Sequence, residues 1–283
     1  GRLGPETALG GSMTLDRDAA SAALDAEVAK PLSLSTTQAA TGVLRVANAN
    51  MERDPRWGRN QEAPGEDPHL TSKYIAAYVR GLQEGEDPEH VQMVATCKHF
   101  IANSLEHSTI DGKVITRHNF DAEIPLPELV DYYMPGFKSC VQEGRALGIM
   151  CSYNAVNGEP ACTNKPLLQG VLRRDFGFGG VVATDCGALD DAHVHHRRYA
   201  TEVDTVTAAV RAGVDSNCGS LFGRALPWAV GNGSVAASEL RPGAARLLAL
   251  RLRLGLFEPS HPAVPKPPVT QVDAPSHRAL ALE

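Results

Sequence analysis

Five short stretches in the middle of the chain begin apolar and end polar: "VLRVANAN" from Val43, "VQMVATCKHF" from Val91, "ALGIMCSYN" from Ala146, "GGVVATDC" from Gly179 and the weaker "AGVDSNCG" from Ala212. Between them the apolar positions change to a helical period, in "SKYIAAYVRGLQ" from Ser72, "PELVDYYMPGFKSCVQ" from Pro127, "PLLQGVLRRDF" from Pro166 and "TEVDTVTAAVRAG" from Thr201. Strands alternating with helices predict parallel β/α units. The nearly continuous apolar runs predict a sheet covered on both faces. The spacing suits an α/β fold of the (β/α)8 TIM-barrel type with some long loops. A doubly wound sheet is the main rival, although no GxGxxG follows a strand and no GxxxxGK[ST] occurs.

In either architecture functional groups gather beyond the carboxyl ends of the strands. Asp185, the Lys98–His99 pair, Tyr153 with Asn154, Asn217 and the polar run after Asn50 all fall there. Five strands delivering polar groups to one rim predict a site. Beyond the fifth strand, "LFGRALPWAVGNG" and "SELRPGAARLLALRLRLGLFEPS" read as helices that close a domain near Phe257, the second interrupted by Pro242 and Gly243. "HPAVPKPPVTQVDAP" reads as a proline-rich linker and "SHRALALE" as the opening of another helix. Residues 1–42 offer one helical stretch, "DRDAASAALDAEVAK", but no clear strand.

Composition narrows the function. The 283 residues are 43% hydrophobic, and no run approaches the roughly 18 apolar residues of a membrane span. A soluble chain without a membrane partner is expected. The net charge of -6 argues against a nucleic-acid surface, and "HHRR" from His195 to Arg198 reads as a solvated loop. Six cysteines occur without a CxxC pair or a Cys/His cluster at zinc spacing, so neither a metal nor a cofactor is expected. Composition alone leaves buried thiols and disulfides both open. One sequon, at Asn232, leans slightly towards secretion.

"RDPRWGRNQEAPGEDP" from Arg53, "KHF" from Lys98, "MCSYNAVNG" from Met150, "LLQGVLRRDFGFGGVVATD" from Leu167 and "RLGLF" from Arg253 resemble, in order and spacing, the signatures of glycoside hydrolase family 3. The resemblance runs from about Val43 to Glu258, so the expected domains are an unassigned 1–42, a partial barrel over 43–258, and a linker with the start of a second domain over 259–283. Cys186, "NCG" downstream, "FKSC" and "MCSYN" are most similar to the β-xylosidase and arabinofuranosidase branch. β-Glucosidases of the family usually carry tryptophan where this chain has Cys186.

The resemblance implies a retaining exo-acting glycosidase, with Asp185 as nucleophile and Arg59, Lys98, His99, Met150 and Tyr153 around the terminal sugar of an oligosaccharide. A guanidinium and an ammonium offer donors and no acceptor, which suits hydroxyls held against a carboxylate. For Arg53, Asp54, Arg56, Glu62, Glu66 and Asp67 an ion-pair and turn network stands as the reading beside sugar contact, and for Trp57 a core anchor beside a sugar platform. Cys186 and Cys218, just past neighbouring strand ends, form a candidate disulfide that narrows the pocket towards a pentose, and Cys151 with Cys162 a second. The resemblance also implies earlier barrel strands and an acid/base glutamate on a second domain. Residues 1–42 do not recognisably provide the strands, and "KHFIANS" lacks the histidine dyad of the hexosaminidase relatives. An incomplete barrel in a fragment without its general acid is therefore expected. A secretory or extracellular setting is implied, with β-glucosidase or a non-catalytic sugar-binding remnant as alternative functions.

Overall fold

The computed structural model describes residues 44–85, 90–257 and 273–282. The helix expected within residues 1–42 and most of the proline-rich linker lie outside these. Strands β1 (Leu44–Asn48), β2 (Val94–Phe100), β6 (Gly148–Cys151) and β9 (Val181–Thr184) form one parallel sheet in the order β1-β2-β6-β9. Each strand joins beside its predecessor, so the strand order never reverses. A doubly wound sheet would reverse it; a sheet growing in one direction is the course of a β/α barrel wall. The fifth stretch contributes only a parallel bridge, Ala183 to Ser216.

Packing follows from the sequence pattern. Every residue of β9 is buried, as are all but one of β2, so both faces of the wall are covered. Helix α1 (Pro68–Gln83) starts where the Asp67 carboxylate accepts from the main-chain N–H groups of His69 and Leu70, with Pro68 in the first turn. Its buried Ile75, Val79 and Leu82 are each worth about 1.5–3 kcal/mol of transfer free energy. It packs against α2 (Met134–Gln142), which continues from a π-helical turn, Leu129–Tyr133. A second π-helical segment, Pro166–Asp175, links β6 to β9. Helices α3 (Ala188–Val194), α4 (Glu202–Ala212), α5 (Leu221–Gly231) and α6 (Ala237–Arg253) follow. Thr201 caps α4 through Asp204 N–H, and Gly213 ends it at φ 96°, a left-handed conformation that favours glycine. Helix α7 (Pro275–Leu282) takes in the described residues of "SHRALALE". No helix among the described residues is long and apolar enough to cross a membrane.

Pro242 and Gly243 do not interrupt α6, contrary to expectation. The helix runs through them because Leu250 and Leu254 bury against Val94 and Val181 beneath the sheet. Gly243 serves a close approach: a Cβ there would lie 3.1 Å from Asp215 Oδ1. Asp215, its side chain 1% exposed, accepts from Val182 N–H (2.9 Å), Arg173 Nη2 (2.8 Å) and Arg246 Nη2 (2.7 Å). This pins the start of β9 and leaves its other end to the site.

The long connection between β2 and β6 holds a hairpin, β3 (His107–Ile110) with β4 (Lys113–Thr116). It also contributes β5 (Asp121–Ala122) to a small sheet with β7 (Ala155–Val156) and β8 (Glu159–Pro160).

Candidate active site

Asp185 leaves the end of β9 with its N–H bonded to Cys151 O (3.0 Å) and its Oδ1 accepting from Cys186 N–H (2.7 Å). Its Oδ2 lies 3.3 Å from Nε2 of His99, a side chain only 1% exposed. Burial, then the positive charges of Lys98 and Arg59, push the His99 pKa well below 6.5, so the ring is neutral. Asn50 Oδ1 accepts from the His99 main-chain N–H at 2.6 Å and also lies 3.2 Å from Nδ1. The full charge of Asp185 outweighs that amide dipole, placing the single ring proton on Nε2, where it donates to the carboxylate.

Tyr153 also neighbours Asp185. Its hydroxyl donates to Cys186 O at 3.1 Å, and burial followed by the Asp185 charge raises its pKa, keeping the phenol protonated. Arg59 and Lys98 meet at Glu62. Arg59 makes a bidentate pair with it (2.7 and 2.8 Å), and Lys98 Nζ lies 3.3 Å from Oε2. The arginine hydrogen bonds, with help from Lys98, hold the Glu62 pKa at about 2. Asp185 acts electrostatically on Arg59. Met150 sits half-buried in β6 opposite Ala183.

Much of the motif after β1 is a scaffold, as expected. Arg56 pairs with Asp54 (2.6 Å), Arg53 with Glu128 (2.5 Å), and Asp67 caps α1. Trp57 is 5% exposed, and its Nε1 donates to Glu106 at 3.3 Å. Glu106, which no sequence signal singled out, also faces Arg59 (3.9 Å) and Arg117 (3.2 Å). The Arg117 guanidinium in turn lies over the Tyr153 ring at 4.8 Å. Arg117 and His118 escaped notice because they follow a polar hairpin whose positions show no apolar period.

The "HHRR" stretch is not simply a solvated loop. His195 Nδ1 lies 2.6 Å from Asp191 Oδ1, His196 Nε2 lies 2.8 Å from Tyr153 O, and Arg198 pairs with Glu159 at 2.8 Å. Asn154 and Asn217 serve the loops: Asn154 Nδ2 bonds Ile101 O, and Asn217 Nδ2 bonds Thr184 Oγ1. Ligand atoms of His118, Asp191 and His195 fall within 4.8 Å of one another, the one group among the described residues with the spacing to hold a metal ion.

Cys186 and Cys218 are bonded, their Cα atoms 4.4 Å apart, beside the nucleophile candidate. Cys151 and Cys162 form the second expected bridge, with Cα atoms 5.1 Å apart. A third, Cys97–Cys140, joins β2 to α2.

Residues 42–250 match the family description "Glycosyl hydrolase family 3 N terminal domain". The chain belongs to glycosyl hydrolase family 3. This family 3 chain is 41% identical over 239 residues to "Probable exo-1,4-beta-xylosidase bxlB" of Aspergillus fumigatus, covering 83% of itself and 30% of that protein. It is 40% identical over 244 residues to "Probable beta-D-xylosidase 7" of Arabidopsis thaliana, covering 83% and 31%. It thus spans under a third of the length of these relatives. Among solved structures it is similar to the GH3 exo-beta-xylosidase XlnD in complex with a xylobiose aziridine activity-based probe, with TM-score 0.83 and 32% identity over 95% of this chain and 35% of that one. The beta-glucosidase from Listeria innocua in complex with glucose gives TM-score 0.77 and 27% identity over 95% and 36%. The family 3 chain is thus of the α/β TIM-barrel class, with hydrolysis of glycosidic bonds as the family's chemistry.

Proposed function

We propose that this chain carries the nucleophile side of a retaining exo-glycosidase that releases terminal β-xylosyl or α-arabinofuranosyl residues from hemicellulose-type oligosaccharides. The observation that carries this reading is Asp185 at the end of β9, oriented by His99 Nε2–H and with Tyr153 beside it. Asp185 attacks the anomeric carbon, the bond to the leaving oxygen breaks as that oxygen takes a proton, and water then releases the sugar from the carboxylate. Arg59 and Lys98, paired with Glu62, donate to sugar hydroxyls. Glu62, held at about 2, has no proton to give at neutral pH. Glu62 is therefore not the general acid.

The pentose preference rests on Cys186–Cys218, a bridge that starts at the residue directly after Asp185, and on the xylosidases among the relatives. The second reading, β-glucosidase, is favoured by the likeness to the Listeria innocua enzyme. Three disulfides support residence in an oxidising compartment, extracellular or secretory.

The test uses an activated 2-fluoro xyloside, whose leaving group departs with little acid assistance. Peptide mapping is expected to find the sugar on Asp185. The matching glucoside should label far more slowly. Faster labelling by the glucoside would establish the second reading. Label on another carboxylate would overturn the assignment of the nucleophile, and no label at all would leave a non-catalytic sugar-binding remnant.

A further inference from the structure

One buried carboxylate remains outside this account. Asp191 lies on α3, its side chain 7% exposed, and both its oxygens are taken: Oδ2 by His118 Nδ1 and Oδ1 by His195 Nδ1, each at 2.6 Å. His118 follows the β3–β4 hairpin, 73 residues away in sequence. Its ring meets Tyr153 edge-on, centroids 4.8 Å apart, and Arg117 beside it lies over the same Tyr153 ring. His196 holds the Tyr153 carbonyl from the Asp191 side. Tyr153 is thus enclosed by groups that Asp191 ties together.

We propose that Asp191, with His118 and His195, is a positioning relay that fixes Tyr153 and Arg117 against the Asp185 pocket. The proposal rests on the glycosidase reading for its effect on chemistry, but not for the relay itself. The three side chains also have the spacing of a transition-metal site, and one contact decides between the two. Arg117 Nε, which can only donate, faces His118 Nε2 at 3.4 Å. That nitrogen presents its lone pair, so His118 carries its proton on Nδ1, the atom a metal would need. With His118 and His195 both donating, Asp191 must accept twice. Asparagine offers one accepting oxygen and a donating NH2 that opposes the second imidazole.

Two measurements on the whole chain test this. In nitrogen-15 NMR, His118 and His195 are expected as Nδ1–H tautomers, assigned by loss of each signal in His118→Phe and His195→Gln. Asp191→Asn should shift the Tyr153 ring resonances. An Nε2–H tautomer at His118, or unmoved Tyr153 signals, would overturn the relay whether or not the chain reacts with sugars. In labelling by the activated fluoro xyloside, Asp191→Asn should lower the first-order constant at saturation by about tenfold or more, the scale of one lost charge-assisted hydrogen bond, with full final stoichiometry. Reduced stoichiometry at an unchanged constant would mean a folding role only. His118→Phe keeps the ring against Tyr153 and removes the bond to Asp191. It should be as slow as Asp191→Asn; wild-type speed would show that packing alone matters. Binding of one equivalent of Zn2+ at micromolar concentration, lost in His195→Gln, would make the cluster a metal site and refute the relay. Wild type that fails to label sinks the glycosidase reading and leaves the NMR result to decide the relay.

Discussion

Cys97–Cys140 and Cys186–Cys218 close loops of similar length, with sequence separations of 43 and 32, but lie in opposite surroundings. Chain entropy assigns about 4.0 kcal/mol to the first and about 3.7 kcal/mol to the second. Cys97 and Cys140 are both fully buried, so alanine at each also removes packed sulfur, adding about 1 kcal/mol per site. Cys186 and Cys218 are exposed and leave no comparable void. The double variant Cys97→Ala/Cys140→Ala should therefore lose about 6 kcal/mol and Cys186→Ala/Cys218→Ala about 4 kcal/mol. Urea unfolding followed by fluorescence, with the slope checked for constancy, measures both. Function should separate the other way. Only the rim variant should need more fluoro xyloside for half-maximal labelling and lose discrimination against the glucoside. A rim variant less stable than the core variant would refute the burial reasoning. Undiminished pentose selectivity in the rim variant would refute the role given to the bridge.

Asp185→Asn should abolish sugar labelling, while Asp190→Asn, which removes only an exposed pair with Arg224, should label like wild type; peptide mass mapping distinguishes them. Glu62, held at about 2 against a usual 4.5, stabilises the fold above pH 4.5, and that contribution fades as pH falls through this window. Acid titration of stability should therefore be flatter between pH 4.5 and 2 in Glu62→Gln than in wild type. His99 is neutral in the fold but takes a proton below pH 6.5 once unfolded, so it draws stability down as pH falls below 6.5, by up to about 1.4 kcal/mol per pH unit. His99→Gln should remove that slope in pH-dependent urea melts. Asp67→Ala, which leaves the first N–H groups of α1 uncapped, should cost about 1 kcal/mol in the same assay.

The elements that build the wall were legible because burial on both faces leaves one continuous apolar run, as in β2 and β9. The fifth stretch, read as a weak strand, is only a bridge: Gly213 turns there at positive φ, and Asp215 is drawn to two arginines instead of a ladder. Asp185, His99 and Tyr153 were legible as polar residues at strand ends. Glu106, His118 and Asp191 were not, since their partners lie tens of residues away and no local period marks them. Cys97–Cys140 was missed for the same reason: it joins a strand to the buried face of a helix, where a cysteine looks like any small apolar residue. Pro242 was given too much weight as a helix breaker, because tertiary packing of Leu250 and Leu254 holds α6 through it.

The rim bridge constrains how such a pocket can change over time. Thr184 Oγ1 accepts from both Asn217 Nδ2 and Cys218 N–H, and Gly187 N–H returns to Cys218 O. The turn after β9 and residues 217–218 are therefore one cassette. Replacing Cys186 alone strands an unpaired thiol at Cys218 near the nucleophile candidate. Replacing Cys218 alone strands one at position 186, immediately after Asp185. Either single step passes through an oxidation-prone intermediate in an oxidising environment. Lineages that exchange one sugar for another should accordingly change both positions together, and laboratory swaps of specificity should graft residues 184–187 and 217–218 as a unit.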